Sequence, residues 1–195
     1  MEPERNELFP IFLKLNTLKV LLVGAGPVGL EKITAVLNNS PTTTVKVIAI
    51  EVLPEIFNLA KNNDSISIEQ RAYQETDLNG FDLAIVAVNN RQLSETIFHH
   101  AKKAGVLVNV ADTPDLCDFY LGSIVQKGQL KIAISTNGKS PTMAKRLREW
   151  LQGILPDDLD PLLQNLYRFR QKIKGDFEAK VKQLDELTAG FVSKK

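Results

Sequence analysis

The feature that most constrains this chain is a glycine loop set directly behind an apolar run. Leu18-Lys19-Val20-Leu21-Leu22-Val23 is a near-continuous hydrophobic stretch of the kind buried in a parallel sheet, and Gly24-Ala25-Gly26-Pro27-Val28-Gly29 follows at once. A helical pattern then runs to about Leu37, and Asn38-Asn39-Ser40-Pro41 ends it. Strand, Gly-x-Gly-x-x-Gly and helix in that order form the dinucleotide-binding arrangement. Gly24 permits the tight turn out of the strand, Gly26 lets the backbone approach a pyrophosphate, and Gly29 lets the helix pack close. The helix start offers free N–H groups and the positive end of its dipole to phosphate. Pro27 and Val28 lie inside the loop and count with the three glycines as cofactor-binding candidates.

The rest of the first half repeats the strand–helix alternation. Strands are expected at 45–50, 65–70, 81–88 and 106–111, and helices at 53–62 and 93–103, stopped by Gly105. Such alternation builds right-handed βαβ units, so the expected fold class is α/β, a Rossmann-like doubly wound parallel sheet. The pattern changes after Pro114. Two strands at 123–126 and 130–135 flank Gly128-Gln129, Thr136 to Pro141 is a loop, and a helix should run from 141 to 153. Residues 156–161 read as an acidic linker and 162–187 as helix. The expected organisation is a nucleotide-binding domain over 1–113, a small α+β segment over 114–153 and a helical part over 154–195.

Composition narrows the function classes. Of 195 residues, 24 are Lys or Arg and 23 are Asp or Glu, a net charge of +1. This balance argues against a general nucleic-acid binder. Two adjacent histidines, His99 and His100, and a single cysteine, Cys117, leave too few ligands for a structural zinc site, so no metal site is expected. The lone cysteine also excludes an internal disulfide. The most apolar early stretch, 20–30, is too short to span a bilayer, and the charged, proline-containing start does not read as a signal peptide. A soluble cytoplasmic protein is the expectation. Residues 139–195 carry twelve Lys+Arg against eight Asp+Glu, either to face an anionic ligand or simply as a solvated helical surface.

Candidate site residues follow from where ligands bind in such sheets, beyond the carboxyl ends of the strands. Glu51 closes the second strand; a carboxylate there would accept the ribose hydroxyls and repel a 2′-phosphate, favouring NAD over NADP, although a solvent-exposed strand-end acid would look the same. Two later strands end in polar residues, at Asn89-Asn90 and from Asn109 to Asp112. Asn89 is assigned to the cofactor and Asn109 to the substrate. Asp112 is the better placed for chemistry, since a carboxylate beside a nicotinamide can accept a proton as a hydride leaves the substrate. From the residues alone the stronger reading is a turn-initiating Asp before Thr-Pro, bonding its own backbone. Ser140-Pro141 reads as an N-cap with Pro at the first helical position, and the same helix start, with Lys139 and Arg146 close by, could hold substrate carboxylates. Cys117 has no companion base in its segment and reads as structural.

Several of these blocks together resemble a known family. Leu8-Phe9-Pro10-Ile11-Phe12-Leu13 ahead of the glycine loop, the run from Val106 through Asn109, Asp112, Pro114, Leu116-Cys117-Asp118 to Phe119, and Ile132-Ala-Ile-Ser-Thr-Asn-Gly-Lys-Ser-Pro141 look like precorrin-2 dehydrogenases, the N-terminal domains of siroheme synthases. The resemblance covers roughly residues 8–155. It implies NAD-dependent oxidation of precorrin-2 to sirohydrochlorin, with Asp112 at the catalytic aspartate, Ser140 near the tetrapyrrole, and Gly24, Gly26, Gly29 and Glu51 at the dinucleotide. Some members also insert ferrous iron, which would then be a substrate. The resemblance further implies a homodimer built through the 114–153 segment, and a polycarboxylate substrate for the basic C-terminal part. The chain departs from the family at Ala87-Val88-Asn89 and at Ala49-Ile50, where members often carry Ala-Ala-Thr and Ala-Pro. A reading from a different class is a non-catalytic NAD-sensing Rossmann module. It accounts for the glycine loop and Glu51 but not for Asp112 and its flanking block. A dehydrogenase acting on another small substrate would want a His or Lys at a strand end, and neither histidine lies at one.

Overall fold

The computed structural model describes residues 5–157, 159–172 and 177–189. It divides into two compact units, one over Phe9–Leu121 and the other over the described residues from Gly122 on together with 5–8.

The first unit is a five-stranded, wholly parallel sheet. Its elements are β1 (Lys19–Ala25), α1 (Pro27–Asn39), β2 (Thr44–Val52), α2 (Pro54–Lys61), β3 (Ile66–Gln70), β4 (Leu83–Val86), α3 (Arg91–Ala104) and β5 (Leu107–Val110). The strand order is β3-β2-β1-β4-β5. The apolar run of β1 is central because both its faces are covered. Val20 and Leu22 pack with Ile33, Val47, Ile56 and Ile85 on one side; Leu21 and Val23 pack with Ile48, Val86, Ile97 and Val108 on the other. Alternate side chains of one strand thus feed two cores, as a doubly wound sheet requires. The chain leaves β1 toward β2 and β3, then returns to the far side of β1 to form β4. The order therefore reverses between β1 and β4, the crevice where such folds bind ligands.

Two features depart from a regular alternation of strand and helix. Between β3 and β4 there is a short 3-10 turn, Glu75–Leu78, in place of an α-helix. Arg71 holds it, bonding Glu69 at 2.5 Å and Asp77 at 2.6 Å. Burial pushes the Asp77 carboxyl up, but the Arg71 fork and the Gln74 N–H more than offset this and hold it below its ordinary value. The second difference is at the end of β2. Val23 pairs with Ile48 but Ala25 pairs with Val52, so β2 spends two more residues than β1 over that interval. The expected strand end at residue 50 moves to Val52, and Ile50 and Glu51 stand exposed on the bulge.

In the second unit, β6 (Ser123–Lys127) and β7 (Leu130–Ile134) form an antiparallel hairpin, and α4 (Pro141–Ile154) packs against it around Val125 and Ala144. The expected acidic linker is shorter than the sequence suggests, because α5 (Leu159–Lys172) starts three residues before its expected onset. The single C-terminal helix expected over 162–187 is two, α5 and α6 (Phe177–Thr188), with 173–176 outside the described residues. Among the described residues no helix is long and apolar enough to cross a membrane.

The first compact unit ends at Leu121, whereas residue 113 was the expected boundary. The reason is local. β5 is an edge strand whose odd residues bond inward to β4, Leu107 N–H to the Asp82 carbonyl and Ala111 N–H to that of Val86. The outward groups of Val108 and Val110 would be unpaired, and the segment after Pro114 folds back to take them. Asp118 donates its N–H to the Val108 carbonyl at 2.8 Å and accepts the Val108 N–H on its carboxylate at 3.1 Å. Cys117 does the same for Val110 through its sulfur. An edge that would otherwise template association is closed by one backbone N–H and two side chains of the returning segment.

Candidate functional site

The three loop glycines are required for different reasons. Gly24 has φ +98°, and a Cβ there would run into the Ala87 carbonyl; a Cβ on Gly29 would run into the Gly24 carbonyl. Both are demanded by the close approach of β1, α1 and the β4 end. Gly26 is not: its φ is −81°, open to any residue, and an added Cβ meets nothing within 4 Å. The protein's own packing leaves that space open, and it lies against the start of α1. There Pro27 has no N–H, no side chain caps the helix, and Leu30 makes the first helical bond, to the Gly26 carbonyl at 2.9 Å. The N–H groups of Val28 and Gly29 are thus left at the positive end of the helix, beside the room that Gly26 keeps clear. This cradle fits a pyrophosphate.

Glu51 lies at the carboxyl end of β2 and Asn89 in the bend after β4, both exposed. The loop after Glu51 is tied to β1 by the Leu53 N–H, which donates to the Ala25 carbonyl at 3.1 Å. Asn89 leads into α3, whose first turn is capped by the neighbouring Asn90 side chain accepting from Leu93 N–H at 3.0 Å. A cap of this kind contributes about 1 kcal/mol.

Asp112 sits just beyond β5 with φ +55°, one of two non-glycine residues of the described chain in the left-handed region, the other being Asn137. For an L-residue that conformation costs about 1–2 kcal/mol, less for Asp than for most. The turn is closed by Thr113 N–H donating to the Val110 carbonyl at 3.3 Å, not by the Asp112 side chain. Among the described residues no hydrogen bond or ion pair engages the Asp112 carboxylate, and it is exposed. The reading of Asp112 as a turn-former that bonds its own backbone is therefore corrected.

Asn109, expected among the substrate contacts, is buried, 6% exposed, and its amide donates to the Phe119 carbonyl at 2.8 Å. Its residue position on β5 turns it toward the folded-back 117–119 segment. Cys117 is half-buried there, and burial pushes its thiol up from the ordinary cysteine value, so it stays protonated as a donor.

In the second unit the loop before α4 makes a tight turn. Asn137 and Gly138 both have positive φ, +53° and +73°, and Lys139 N–H donates to the Thr136 carbonyl at 3.0 Å. Ser140 caps α4: its Oγ accepts the Met143 N–H at 3.2 Å, while its own N–H donates to the Thr136 hydroxyl at 3.1 Å. Lys139 is exposed, and Arg146 reaches Glu149 one turn along at 3.1 Å, an exposed pair of little strength. The fold thus gathers Gly24, Gly26, Pro27, Val28, Gly29, Glu51, Asn89 and Asp112 onto the carboxyl ends of the first unit's strands, and Lys139, Ser140 and Arg146 onto the α4 start of the second. Sequence reasoning did not single out the Asp118 and Cys117 bonds to β5, for which no spacing rule exists.

Comparison with known proteins shows the family of the chain. Residues 11–123 match an NAD(P)-binding family, and residues 127–152 match the central region of sirohaem biosynthesis proteins. The siroheme synthase of Pseudoalteromonas atlantica is 34% identical over 91% of this chain and 38% of its own length. That of Nitrosococcus oceani is 36% identical over 86% of this chain and 35% of its own length. The chain spans well under half the length of these curated relatives. A solved structure of a precorrin-2 dehydrogenase, SirC, superimposes with a TM-score of 0.74 at 24% identity, covering 92% of this chain and 89% of that one, which shows a shared fold.

Proposed function

The chain belongs to the NAD(P)-binding family found at the head of siroheme synthases, and from that premise we propose that it is an NAD-dependent dehydrogenase oxidising precorrin-2 to sirohydrochlorin. The observation that carries this reading is Asp112, an exposed, uncommitted carboxylate held in a strained backbone at the strand ends that also carry the glycine cradle. A module that only bound the dinucleotide would have no use for that strain; strained residues concentrate where chemistry is done.

NAD, when bound, supplies the hydride acceptor. The Val28 and Gly29 N–H groups receive its pyrophosphate, Gly26 gives it room, and the Glu51 carboxylate takes the adenosine ribose hydroxyls and disfavours a 2′-phosphate. Asn89 lies at the β4 end, on the nicotinamide side of the crevice. The substrate loses a hydride and a proton, and Asp112 is the base for the proton, a contribution of roughly 10²–10⁴-fold. Lys139, Ser140 and Arg146 are the residues we assign to the substrate carboxylates. The Ser140 hydroxyl can donate to an anion while still accepting from Met143.

Ferrous iron, where the protein inserts it, would enter as a substrate, with Asp112 again taking the displaced pyrrole protons. The cytoplasm, where a half-buried thiol such as Cys117 stays reduced, is the compartment we assign. A homodimer is supported by α4, which leaves Met143, Leu147, Trp150 and Ile154 exposed at one-turn spacing, an apolar stripe of the kind that marks an interface. Asp112→Asn tests the assignment of the base: NAD affinity should be unchanged while turnover falls at least about 100-fold. Wild-type turnover in that variant would remove Asp112 from the chemistry.

A further inference from the structure

Asp112 is held from below by a sulfur. The Cys117 Sγ lies 3.2 Å from the Val110 carbonyl and 3.3 Å from the Thr113 carbonyl, the two ends of the turn that carries Asp112. It also accepts the Val110 N–H at 3.3 Å and lies 3.5 Å from the Asn109 amide. No other side chain among the described residues bonds both ends of this turn; Thr113 Oγ1 reaches only Ala111, at 3.2 Å. Cys117 is anchored in its turn. Its N–H donates to the Pro114 carbonyl at 3.2 Å, its neighbour Leu116 is buried in the second core, and Asp118 is fixed by Val108 and by Lys102 at 2.6 Å.

We propose that Cys117 is a positioning residue for Asp112: its thiol, bridging the carbonyls of Val110 and Thr113, keeps the intervening turn in the left-handed conformation that presents the Asp112 carboxylate. This rests on the reading of Asp112 as the base. A left-handed aspartate returns to ordinary backbone unless its surroundings over-determine it. The backbone bond closing this turn, Thr113 N–H to the Val110 carbonyl, is long at 3.3 Å, and the thiol is what adds a second tie at both ends. The residue type matters for the same reason. The single S–H is shared between the two carbonyls while a sulfur lone pair accepts the Val110 N–H, all at sulfur distances, and burial keeps the thiol protonated.

Two substitutions separate this role from packing. Cys117→Ser keeps a donor and an acceptor but shrinks the side chain; Cys117→Val keeps an apolar body and removes the hydrogen bonds. A packing role ranks Val above Ser, and a positioning role ranks Ser above Val. The full chain is assayed with precorrin-2 and NAD alongside wild type and Asp112→Asn, recording kcat, the KM for NAD and the equilibrium affinity for NAD. The expected result is NAD affinity within about twofold of wild type throughout, and kcat lowered about 10- to 100-fold in Cys117→Val, the scale set by displacement of a catalytic group by about an ångström. Cys117→Ser should recover most of that loss. If Cys117→Val does not fold, Cys117→Ser decides alone: retained turnover supports the role, and a loss as deep as that of Asp112→Asn overturns it. Wild-type kcat in Cys117→Val beside an inactive Asp112→Asn overturns the role of Cys117 and leaves the base assignment standing. An active Asp112→Asn overturns both.

Discussion

Replacing Gly26 by Asp separates binding from folding more cleanly than any other change in the glycine loop. The backbone there is ordinary, with φ −81°, and a Cβ has open space around it. Gly26 is also the N-cap of α1, a position where Asp ranks among the best residues. Folding should therefore be unharmed, with a melting temperature within about 4 °C of wild type or slightly above it, since roughly 1 kcal/mol is worth that much in a protein of this size. The dinucleotide faces the opposite situation. A carboxylate about 4 Å from a pyrophosphate at a partly screened surface costs about 4 kcal/mol, or roughly three decades in affinity. Calorimetric titration with NAD should find no measurable binding, while differential scanning fluorimetry finds a normal transition. Gly24→Ala is the internal contrast. Its φ of +98° and the carbonyl of Ala87 in the path of the new Cβ predict loss of stability before any loss of binding can be read. Wild-type NAD affinity in Gly26→Asp would refute the cradle.

Other expectations follow from neighbouring parts of the molecule. Glu51→Gln should tighten NADP binding about tenfold relative to NAD, the scale of one exposed carboxylate against a 2′-phosphate, read as the ratio of the two dissociation constants; an unchanged ratio removes Glu51 from the ribose. Arg71→Leu leaves the buried Asp77 carboxylate without its fork and should cost about 3 kcal/mol in urea unfolding at pH 7. In the wild type the folded-state value of Asp77 lies below its unfolded one, so its contribution is complete above about pH 4 and is lost as pH falls through the lower folded value. A wild-type urea midpoint that rises on acidification below pH 4 would contradict that sign. Trp150→Glu, in the middle of the α4 stripe, should convert the proposed dimer to monomers in sedimentation velocity; an unchanged dimer places the interface elsewhere.

The sheet was legible because its signals are local and redundant. β1, the glycine loop and α1 each announce themselves, and the hairpin of β6 and β7 is marked by a turn glycine with positive φ. What was not legible depends on non-local pairing. Nothing in Ala49-Ile50-Glu51 says that β2 runs two residues long, because the bulge exists only in its pairing with β1. Asn109 reads as a polar strand end, and only the return of Phe119 shows that it points inward. The block from Leu116 to Phe119 stood out by resemblance, yet its work on the outer edge of β5 follows from which strand is at the edge, a property of topology. The start of α5 is a different case. Asp160 and Pro161 read as the end of a linker, although an acid and a proline in the first turn are themselves helix-start signals.

The most direct test of the central claim is anaerobic incubation of the full chain with precorrin-2 and NAD, following NADH absorbance together with the sirohydrochlorin spectrum. Oxidation of precorrin-2 by this chain requires that one NADH appear for each sirohydrochlorin formed, both lost in Asp112→Asn. NAD binding without any NADH would contradict it and leave a dinucleotide-sensing module in its place.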